Sequence, residues 1–397
     1  MARAVVTLAA GLACAALASG LAWAAAPIQP TSDSEVVEVL QSATQVRPSP
    51  LAPAKATPRA TQDVAAAVQM AHRAVQDARR SGDNRYWGRA QAALAPWWDT
   101  PTAPVAIAVL QATVQQGRHE FAAAHQVLRG AVAREPGNAQ AWLTLATLER
   151  LAGRYGAALR ACTAVAHAGQ PLYAQACAWE TRSLQGAHAP AASGLRDLLA
   201  QATEPEQRSW LLSLLAEAQE RAGHDHDAER AYQASLALSA DLYTALAYSD
   251  LQLRTGRYQR ALQTLRALPD TDAVLLRRAR ALQQLADPAW SQIRDTLRER
   301  EQALLRRGDD PQLHNRERAL AALWLEHDAA RALLLARDNL TLQREPLDWW
   351  IALRSAQQAG QPATLLALNS ELQDTGLQDA RLTSLTHRPL AKLEPKP

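Results

Sequence analysis

The stretch from Asn138 to Ala166, NAQAWLTLATLERLAGRYGAALRACTAVA, decides how this chain of 397 residues folds. Its apolar and small residues keep a helical period before and after a central glycine, which interrupts the period. This pattern is typical of two short helices joined by a tight turn. The residues that fix the spacing are Trp142, Leu145, Ala146, Gly153, Tyr155 and Ala158.

The same residue types return along the chain at an interval of 34 residues. Each unit of such an array buries its apolar face only against its neighbours, so the recurrence predicts a helical repeat rather than an irregular helical bundle. Two further units follow at slightly altered spacing, around Ala228 and Ala261. The small residue recurs at Ala90, Ala124, Ala158 and Ala192, and the aromatic residue at Trp87, Phe121 and Tyr155.

The unit resembles the tetratricopeptide repeat. In that family a large residue stands at position 4, Leu at 7, a small residue at 8, an aromatic residue at 17 and small residues at 20 and 27. The quoted stretch departs from the pattern at Glu149, Cys162 and Val165, which occupy positions 11, 24 and 27. The resemblance implies an all-α fold, an α-α superhelix (a solenoid of helical hairpins) with roughly eight to nine helical pairs.

The chain begins with the features of a secretory signal. Arg3 precedes an apolar run from Ala4 to Leu21, and Ala22-Trp23-Ala24 is a small-x-small pattern that signal peptidase accepts. We therefore expect residues 1–24 to be removed as a signal peptide, leaving Ala25 first. A membrane anchor is the alternative, because the apolar run just reaches spanning length. The Ala- and Arg-rich composition suggests a bacterium, so the expected location is the periplasm.

The rest of the chain divides into four segments. Residues 25–60 are rich in proline among Ser, Thr, Ala and Gln, which is typical of a linker, although Glu35–Gln41 is a candidate to dock on the repeats. Residues 61–269 hold the clear repeats, with Thr61 as the predicted N-cap of the first helix. Residues 270–374 continue the solenoid as degenerate helical repeats, and residues 375–397 form a C-terminal tail.

Charge and motifs restrict the function. Lys and Arg total 42 against 39 Asp and Glu, and the signs interleave even in the Arg-rich stretch 277–318. Nucleic-acid binding needs clustered cations, so we predict no nucleic-acid partner. No nucleophile elbow, phosphate-binding loop or zinc-ligand spacing occurs in the sequence. We therefore predict no catalytic residue, cofactor or metal site.

The stretch His224-Asp225-His226-Asp227 is the part of the sequence that most resembles a metal site. Adjacent side chains point in different directions, however, and Asp227 is the expected cap of a helix beginning at Ala228. We therefore interpret this stretch as a turn between two helices.

The 11 tryptophans raise a second hypothesis for the function. Trp87 and Trp142 stand where the repeat packs its core, whereas Trp98 and one of Trp349 and Trp350 are harder to bury. Exposed indole rings would favour a glycan- or peptidoglycan-associated binding module.

Cys162 and Cys177 are the cysteines that remain once the signal is removed. The family places them on helices that pack together, and an exported compartment oxidises thiols, so a disulfide between them is predicted. Two small buried thiols are the alternative.

The resemblance also implies a binding surface. The first helices of stacked tetratricopeptide repeats form a concave groove, and their positions 2, 5, 9 and 12 face it. We expect a non-enzymatic scaffold that binds a protein or an extended peptide there. The alternatives are that the chain's own segment 35–41 fills the groove or that these residues serve only to pack the helices. The predicted groove residues are Leu143, Thr147, Arg150, Trp210, Glu217, Tyr243, Asp250 and Arg254.

Overall fold

The computed structural model describes residues 58–308 and 310–386, and this part of the chain holds helices and no strand. Two short 3-10 helices accompany the α-helices. The α-helices are α1 (Pro58–Ser81), α2 (Arg85–Leu94), α3 (Val105–Gly117), α4 (Phe121–Arg134), α5 (Ala139–Leu151), α6 (Tyr155–His167), α7 (Pro171–Leu184), α8 (His188–Gln201), α9 (Pro205–Arg221), α10 (Asp225–Leu238), α11 (Leu242–Arg254), α12 (Tyr258–Leu265), α13 (Asp272–Gln284), α14 (Ala289–Arg307), α15 (Asn315–Trp324), α16 (Ala329–Leu342), α17 (Pro346–Gln358), α18 (Pro362–Thr375) and α19 (Ala380–Thr386).

Consecutive helices in the described chain pack as nine hairpins, from α1–α2 (hairpin 1) to α17–α18 (hairpin 9). We call the first helix of each hairpin its helix A and the second its helix B. Each hairpin also packs on the next, and α19 follows hairpin 9 in the position of a further helix A. The all-α superhelix of helical hairpins that the sequence predicts is confirmed.

The recurring small residue marks the seam between the helices of a hairpin. Ala90, Ala124, Ala158, Ala228 and Ala261 all lie on B helices and are completely buried. Protein interiors are packed as densely as organic crystals, so a larger side chain at these points would push the two helices apart. The interval of 34 residues therefore records a packing requirement.

Every turn from helix A to helix B contains one residue with a left-handed backbone. This conformation reverses the chain at a helix end, and glycine adopts it without steric cost. Six of the nine turns use glycine, whereas His119, Ala286 and His327 take its place with φ between 55° and 62°. The glycines are Gly82, Gly153, Gly186, Gly223, Gly256 and Gly360.

The superhelix closes on itself after six hairpins. The A–B turn of one hairpin contacts the residues that precede helix A six hairpins later, so successive turns of the solenoid touch. Two of these contacts are backbone hydrogen bonds: the Arg344 amide donates to the Leu151 carbonyl at 2.6 Å, and the Gln378 amide donates to the Leu184 carbonyl at 2.8 Å. The row of contacts is Gly82 with Thr271, His119 with Leu313, Leu151 with Arg344 and Leu184 with Gln378.

Ion pairs attach the long helix α14 to the next hairpin. None of its side chains is fully buried. Glu301 accepts from Arg318 Nε at 2.7 Å and from Arg331 Nη2 at 2.9 Å, and Arg298 pairs with Glu326 at 2.8 Å. Burial acts against the charge of Glu301, but the two arginines outweigh it and hold the pKa of this carboxyl below its usual value.

The structure differs from the predicted segment limits at both ends. Helix α1 begins at Pro58, three residues before the predicted N-cap Thr61, because proline needs no hydrogen-bonding partner for its nitrogen in a first turn. The predicted tail contains α19, whose Leu382 and Leu385 are buried against the solenoid. The predicted linker segment 35–41 lies outside the described residues.

Candidate functional site: the axial channel

The closed superhelix surrounds an axial channel of about 1030 Å³. Closure turns the concave face, which the A helices form, into the wall of this channel. Its lining extends from Ala78 on α1 to Arg381 on α19 and includes residues of every A helix between them. The volume is at the upper end of the range of about 300–1,000 Å³ that is usual for ligand sites.

Aromatic rings form one side of the channel wall. Trp210 on α9 and Tyr173 on α7 lie with ring centroids 5.5 Å apart and tilted planes. Tyr243 on α11 continues this row and is 58% exposed, the one aromatic side chain among the exposed large hydrophobic residues of the described chain. Rigid aromatic surface of this kind provides large contact areas at low cost in conformational entropy.

Ion pairs between neighbouring A helices neutralise much of the charge in the channel wall. Arg277 on α13 donates to both carboxylate oxygens of Asp250 on α11, at 2.7 and 2.6 Å. Arg150 on α5 pairs with Glu180 on α7 at 2.9 Å. Burial raises the pKa of Asp250, and Arg277 counteracts part of this effect. These pairs link successive hairpins along the channel.

Glu217 is less well paired than the other carboxylates of these bridges. Its Oε1 accepts a hydrogen bond from the Tyr243 hydroxyl at 2.7 Å, and its Oε2 lies 3.3 Å from Arg221 Nη1. Charge-assisted hydrogen bonds usually measure about 2.7–2.9 Å, so the contact with Arg221 is a long one. Burial raises the pKa of Glu217, Arg221 and the Tyr243 hydrogen bond counteract part of this effect, and the carboxylates of Glu180 and Glu345 add to the rise.

Two arginines from the C-terminal third complete the lining. Arg316 contacts Glu345 at 2.6 Å and Asp348 at 2.7 Å, and Arg381 contacts Glu220 at 3.1 Å. Burial lowers the pKa of both guanidinium groups, but their carboxylate partners outweigh it and hold the pKa above the usual value. Residues from hairpin 8 and α19 therefore share one cavity with residues from hairpin 1.

The structure brings seven of the eight predicted groove residues into the channel wall, and their binding role stays a prediction. Arg254 is the exception. It is the last residue of α11, and its guanidinium turns away to bind Asp225 at 2.6 Å and Glu220 at 3.2 Å. The seven are Leu143, Thr147, Arg150, Trp210, Glu217, Tyr243 and Asp250.

Several channel residues were not predicted from the sequence. Tyr173, Glu180, Arg277, Arg316 and Arg381 lie on degenerate repeats or in the predicted tail, where the family's packing residues are missing. Proline is a signal that would have helped. It stands at the first position of several A helices, where its fixed φ suits the first turn: Pro171, Pro205 and Pro346.

The metal-like stretch is the beginning of a helix. Helix α10 starts at Asp225 with His224 as its N-cap, three residues before the predicted start, so Asp227 is a first-turn residue and binds Arg230 at 2.6 Å. The carboxylates here favour the positive end of the helix dipole. In the described part of the chain, no group of three His, Cys, Asp or Glu side chains is arranged to hold a metal ion.

The tryptophans of the described chain are buried or half-buried. Trp349 is completely buried. Trp350 is half-buried and packs edge-on against Trp324 with centroids 6.4 Å apart. Trp98 is half-buried and packs on the core of hairpin 1.

Cys162 on α6 and Cys177 on α7 form a disulfide, with their Cα atoms 5.6 Å apart. The bridge lies next to the channel because Cys177 belongs to its wall, where Arg150 Nη1 lies 3.5 Å from the Cys177 sulfur.

Several solved structures are similar to this chain. A Rap protein complexed with competence and sporulation factor aligns with a TM-score of 0.51 and 10% identity over 80% of this chain and 86% of its own. A tetratricopeptide repeat protein from Parabacteroides merdae ATCC 43184 aligns with a TM-score of 0.37 and 14% identity over 63% of this chain and 98% of its own. Human IFIT1 with m7Gppp-AAAA aligns with a TM-score of 0.48 and 14% identity over 73% of this chain and 68% of its own.

The likeness to the Rap protein shows the class of fold alone. No protein-family model matches the sequence, and no curated protein matches it significantly. The chain is a helical repeat solenoid of the tetratricopeptide type, as its recurring residues predict. Within residues 58–308 and 310–386, no helix is long and apolar enough to cross a membrane.

Proposed function

We propose that this protein is a non-enzymatic periplasmic scaffold that holds an extended peptide segment of a partner protein in its axial channel. One observation carries the proposal: the stacked A helices enclose a continuous cavity whose wall combines aromatic rings with charged groups of both signs. Aromatic anchors supply most of the binding energy in protein recognition, and charges of both signs set the orientation of the partner.

The wall favours a peptide over a nucleic acid. Its guanidinium groups are largely committed to carboxylates, as in the bidentate pair of Arg277 with Asp250. Phosphate backbones require several free cations, and buried carboxylates such as Glu217 repel them. A peptide main chain is neutral and supplies donors and acceptors along its length.

The periplasmic part of the proposal rests on the N-terminal sequence. The apolar run before Ala22-Trp23-Ala24 predicts cleavage and export. Fractionation of a bacterial host that expresses the full chain, followed by N-terminal sequencing, should find a periplasmic protein beginning at Ala25. A protein that retains Met1 in the membrane pellet would instead be a tethered scaffold.

Photocrosslinking inside the channel tests the binding function. Tyr243 is replaced by the photoreactive amino acid p-benzoylphenylalanine, which preserves an aromatic ring at an exposed position. Leu334 on α16 is the control site, because it is 69% exposed and lies outside the channel wall. Irradiation of living cells and mass spectrometry of the crosslinked peptides should map the Tyr243 crosslinks to one contiguous segment of a partner protein.

The Leu334 control distinguishes crosslinks that form inside the channel from crosslinks to the outer surface. Crosslinks at Tyr243 that spread over many unrelated proteins, or that match those at Leu334, would contradict a channel-bound segment. Crosslinks to glycan or to RNA would replace the peptide by another class of ligand.

A further inference from the structure

The channel is acidic although the chain as a whole is slightly basic. Eight carboxylates and six guanidinium groups line the channel, an excess of two negative charges, whereas the whole sequence carries a formal net charge of +3. A low-dielectric wall concentrates the field of such an excess within the cavity. The carboxylates are Glu180, Glu206, Glu217, Glu220, Asp241, Asp250, Glu317 and Glu345.

The excess is concentrated at carboxylates that lack a strong partner. Glu206 and Glu317 form no ion pair with any described residue, and Glu217 has only the long contact with Arg221. The Arg221 side chain is 4% exposed and also donates to Ser183 at 2.7 Å. Ser183 thereby holds this guanidinium in the channel wall at 3.3 Å from Glu217.

Glu217 retains room for another donor. A carboxylate accepts about four hydrogen bonds, and Glu217 accepts one from Tyr243 and one from Arg221. The Tyr243 ring stands beside it in the channel with more than half of its surface exposed. The carboxylate attracts a cation by charge, and the neighbouring ring attracts one through its electrons.

We propose that the channel selects a peptide segment that carries an arginine or lysine side chain, and that this cation binds between the Glu217 carboxylate and the Tyr243 ring. The inference rests on the proposed function, since it names the chemistry of the segment that the channel holds. Trp210 and Tyr173, which continue the aromatic row, contact the apolar stem or the neighbouring residues of the segment.

Other charges near the site agree with a cationic occupant. Glu180 and Glu345 are close enough to raise the pKa of Glu217, so the negative charge of the site is shared by several carboxylates. Glu180 and Glu345 pair with Arg150 and Arg316, and each also adds to the attraction that Glu217 exerts on an incoming cation. An acidic side chain at the same place would add to this repulsion, and such juxtaposition of like charges is a strong source of discrimination.

Peptide arrays test the selection directly. The purified protein is labelled and applied to an array of random decapeptides, and the residue content of the bound spots is compared with that of the array. Bound peptides should be several-fold enriched in Arg and Lys and depleted in Asp and Glu. The affinity of one enriched peptide and of its Arg→Gln version is then measured by fluorescence anisotropy.

Two matched variants assign the preference to Glu217. Glu217→Gln removes one negative charge inside the channel and should lower the affinity for the basic peptide on the order of tenfold, the worth of one charge-assisted hydrogen bond. Glu299→Gln removes one negative charge from an exposed position of α14 outside the channel and should leave the affinity unchanged. Tyr243→Leu should weaken binding of the basic peptide as well.

Melting curves identify variants whose fold is lost. Glu217→Gln should fold normally, because burial already disfavours the charge at this position.

The outcomes separate the two proposals. Peptides that bind without any preference for basic residues, or equal losses in Glu217→Gln and Glu299→Gln, would overturn the cation site and leave the scaffold standing. An array without bound peptides, together with no partner crosslink at Tyr243, would overturn the scaffold itself. Dimerisation in solution that requires Glu217, or binding that appears only after residues 387–397 are removed, would make a second copy or the chain's own end the occupant and would also overturn the proposal.

Discussion

Gly82→Ala should lower the free energy of unfolding by more than the cost of placing an alanine in a left-handed turn conformation. A Cβ atom at this position would lie 2.4 Å from Thr271 Cγ2 and 3.1 Å from Leu242 Cδ2, on the next turn of the superhelix. Thr271 cannot rotate away freely, because its hydroxyl accepts from the Val274 amide as the N-cap of α13. Loss of this cap costs about 1 kcal/mol, and a left-handed alanine at φ +64° costs about 1–2 kcal/mol. The expected loss in free energy of unfolding is therefore about 2–3 kcal/mol.

Two comparisons isolate the contribution of the contact. Gly256 occupies the same turn position in hairpin 6 with φ +74°, and a Cβ there would meet no atom within 4 Å. Gly256→Ala should therefore cost the left-handed conformation alone, about 1 kcal/mol less than Gly82→Ala. Thr271→Ser keeps the capping hydroxyl and removes the Cγ2 methyl group, which leaves the flexible Leu242 Cδ2 at 3.1 Å as the tightest neighbour. Gly82→Ala in this background should therefore cost close to what Gly256→Ala costs.

Urea titrations followed by circular dichroism measure the free energies of unfolding of the original protein, the three single variants and the double variant. The coupling energy between Gly82→Ala and Thr271→Ser is expected to be about 1 kcal/mol in favour of the double variant, as for residues in direct contact. If Gly82→Ala and Gly256→Ala cost the same, or if Thr271→Ser rescues nothing, then successive turns of the superhelix do not touch at this point.

Reduction of the disulfide and two further variants test other parts of the fold. Reduction of the bridge between Cys162 and Cys177 should lower the free energy of unfolding by about 3 kcal/mol, since the enclosed loop spans 15 residues; two free thiols found by mass analysis of the exported protein would contradict the bridge. Glu301 has a lowered pKa, so its contribution is present above its ordinary value of 4.5 and is lost as the pH falls below it towards the folded pKa. Glu301→Gln should accordingly cost about 1 kcal/mol at neutral pH and flatten the decline of stability in acid, and an unchanged acid titration would show that the pairs with α15 and α16 contribute nothing. Ala286→Gly should raise the free energy of unfolding by about 1 kcal/mol, because it removes a left-handed alanine; a lower melting temperature would contradict this.

The sequence predicts the fold because the contact between helix A and helix B requires a small residue, and this residue recurs at a regular interval. The buried Ala124 and Ala158 recur at an interval that only stacked hairpins explain, and the channel residues Trp210 and Tyr243 follow once this phase is known. The limits of the later repeats are harder to recognise, because Ala286 and His327 adopt the left-handed turn conformation for which the other hairpins use glycine.

The contacts between successive turns of the superhelix could not be predicted from the repeat pattern in the sequence. They depend on small rotations between neighbouring hairpins, which sum over six units, and no local pattern records them. Arg254 shows the same limit on a smaller scale. It lies one position past the predicted groove position Leu253, and at the end of α11 this step suffices to direct the guanidinium to Asp225 instead of the channel.

The contacts between successive turns also change how this solenoid should unfold. An open repeat array behaves as a one-dimensional chain, in which each unit depends on its two neighbours and the ends fray first. Here the amides of Arg344 and Gln378 bind carbonyls of hairpins 3 and 4, so the last hairpins stabilise units in the middle of the array. Melting of the C-terminal helices therefore exposes backbone groups six units away, which favours one cooperative transition over stepwise loss of repeats.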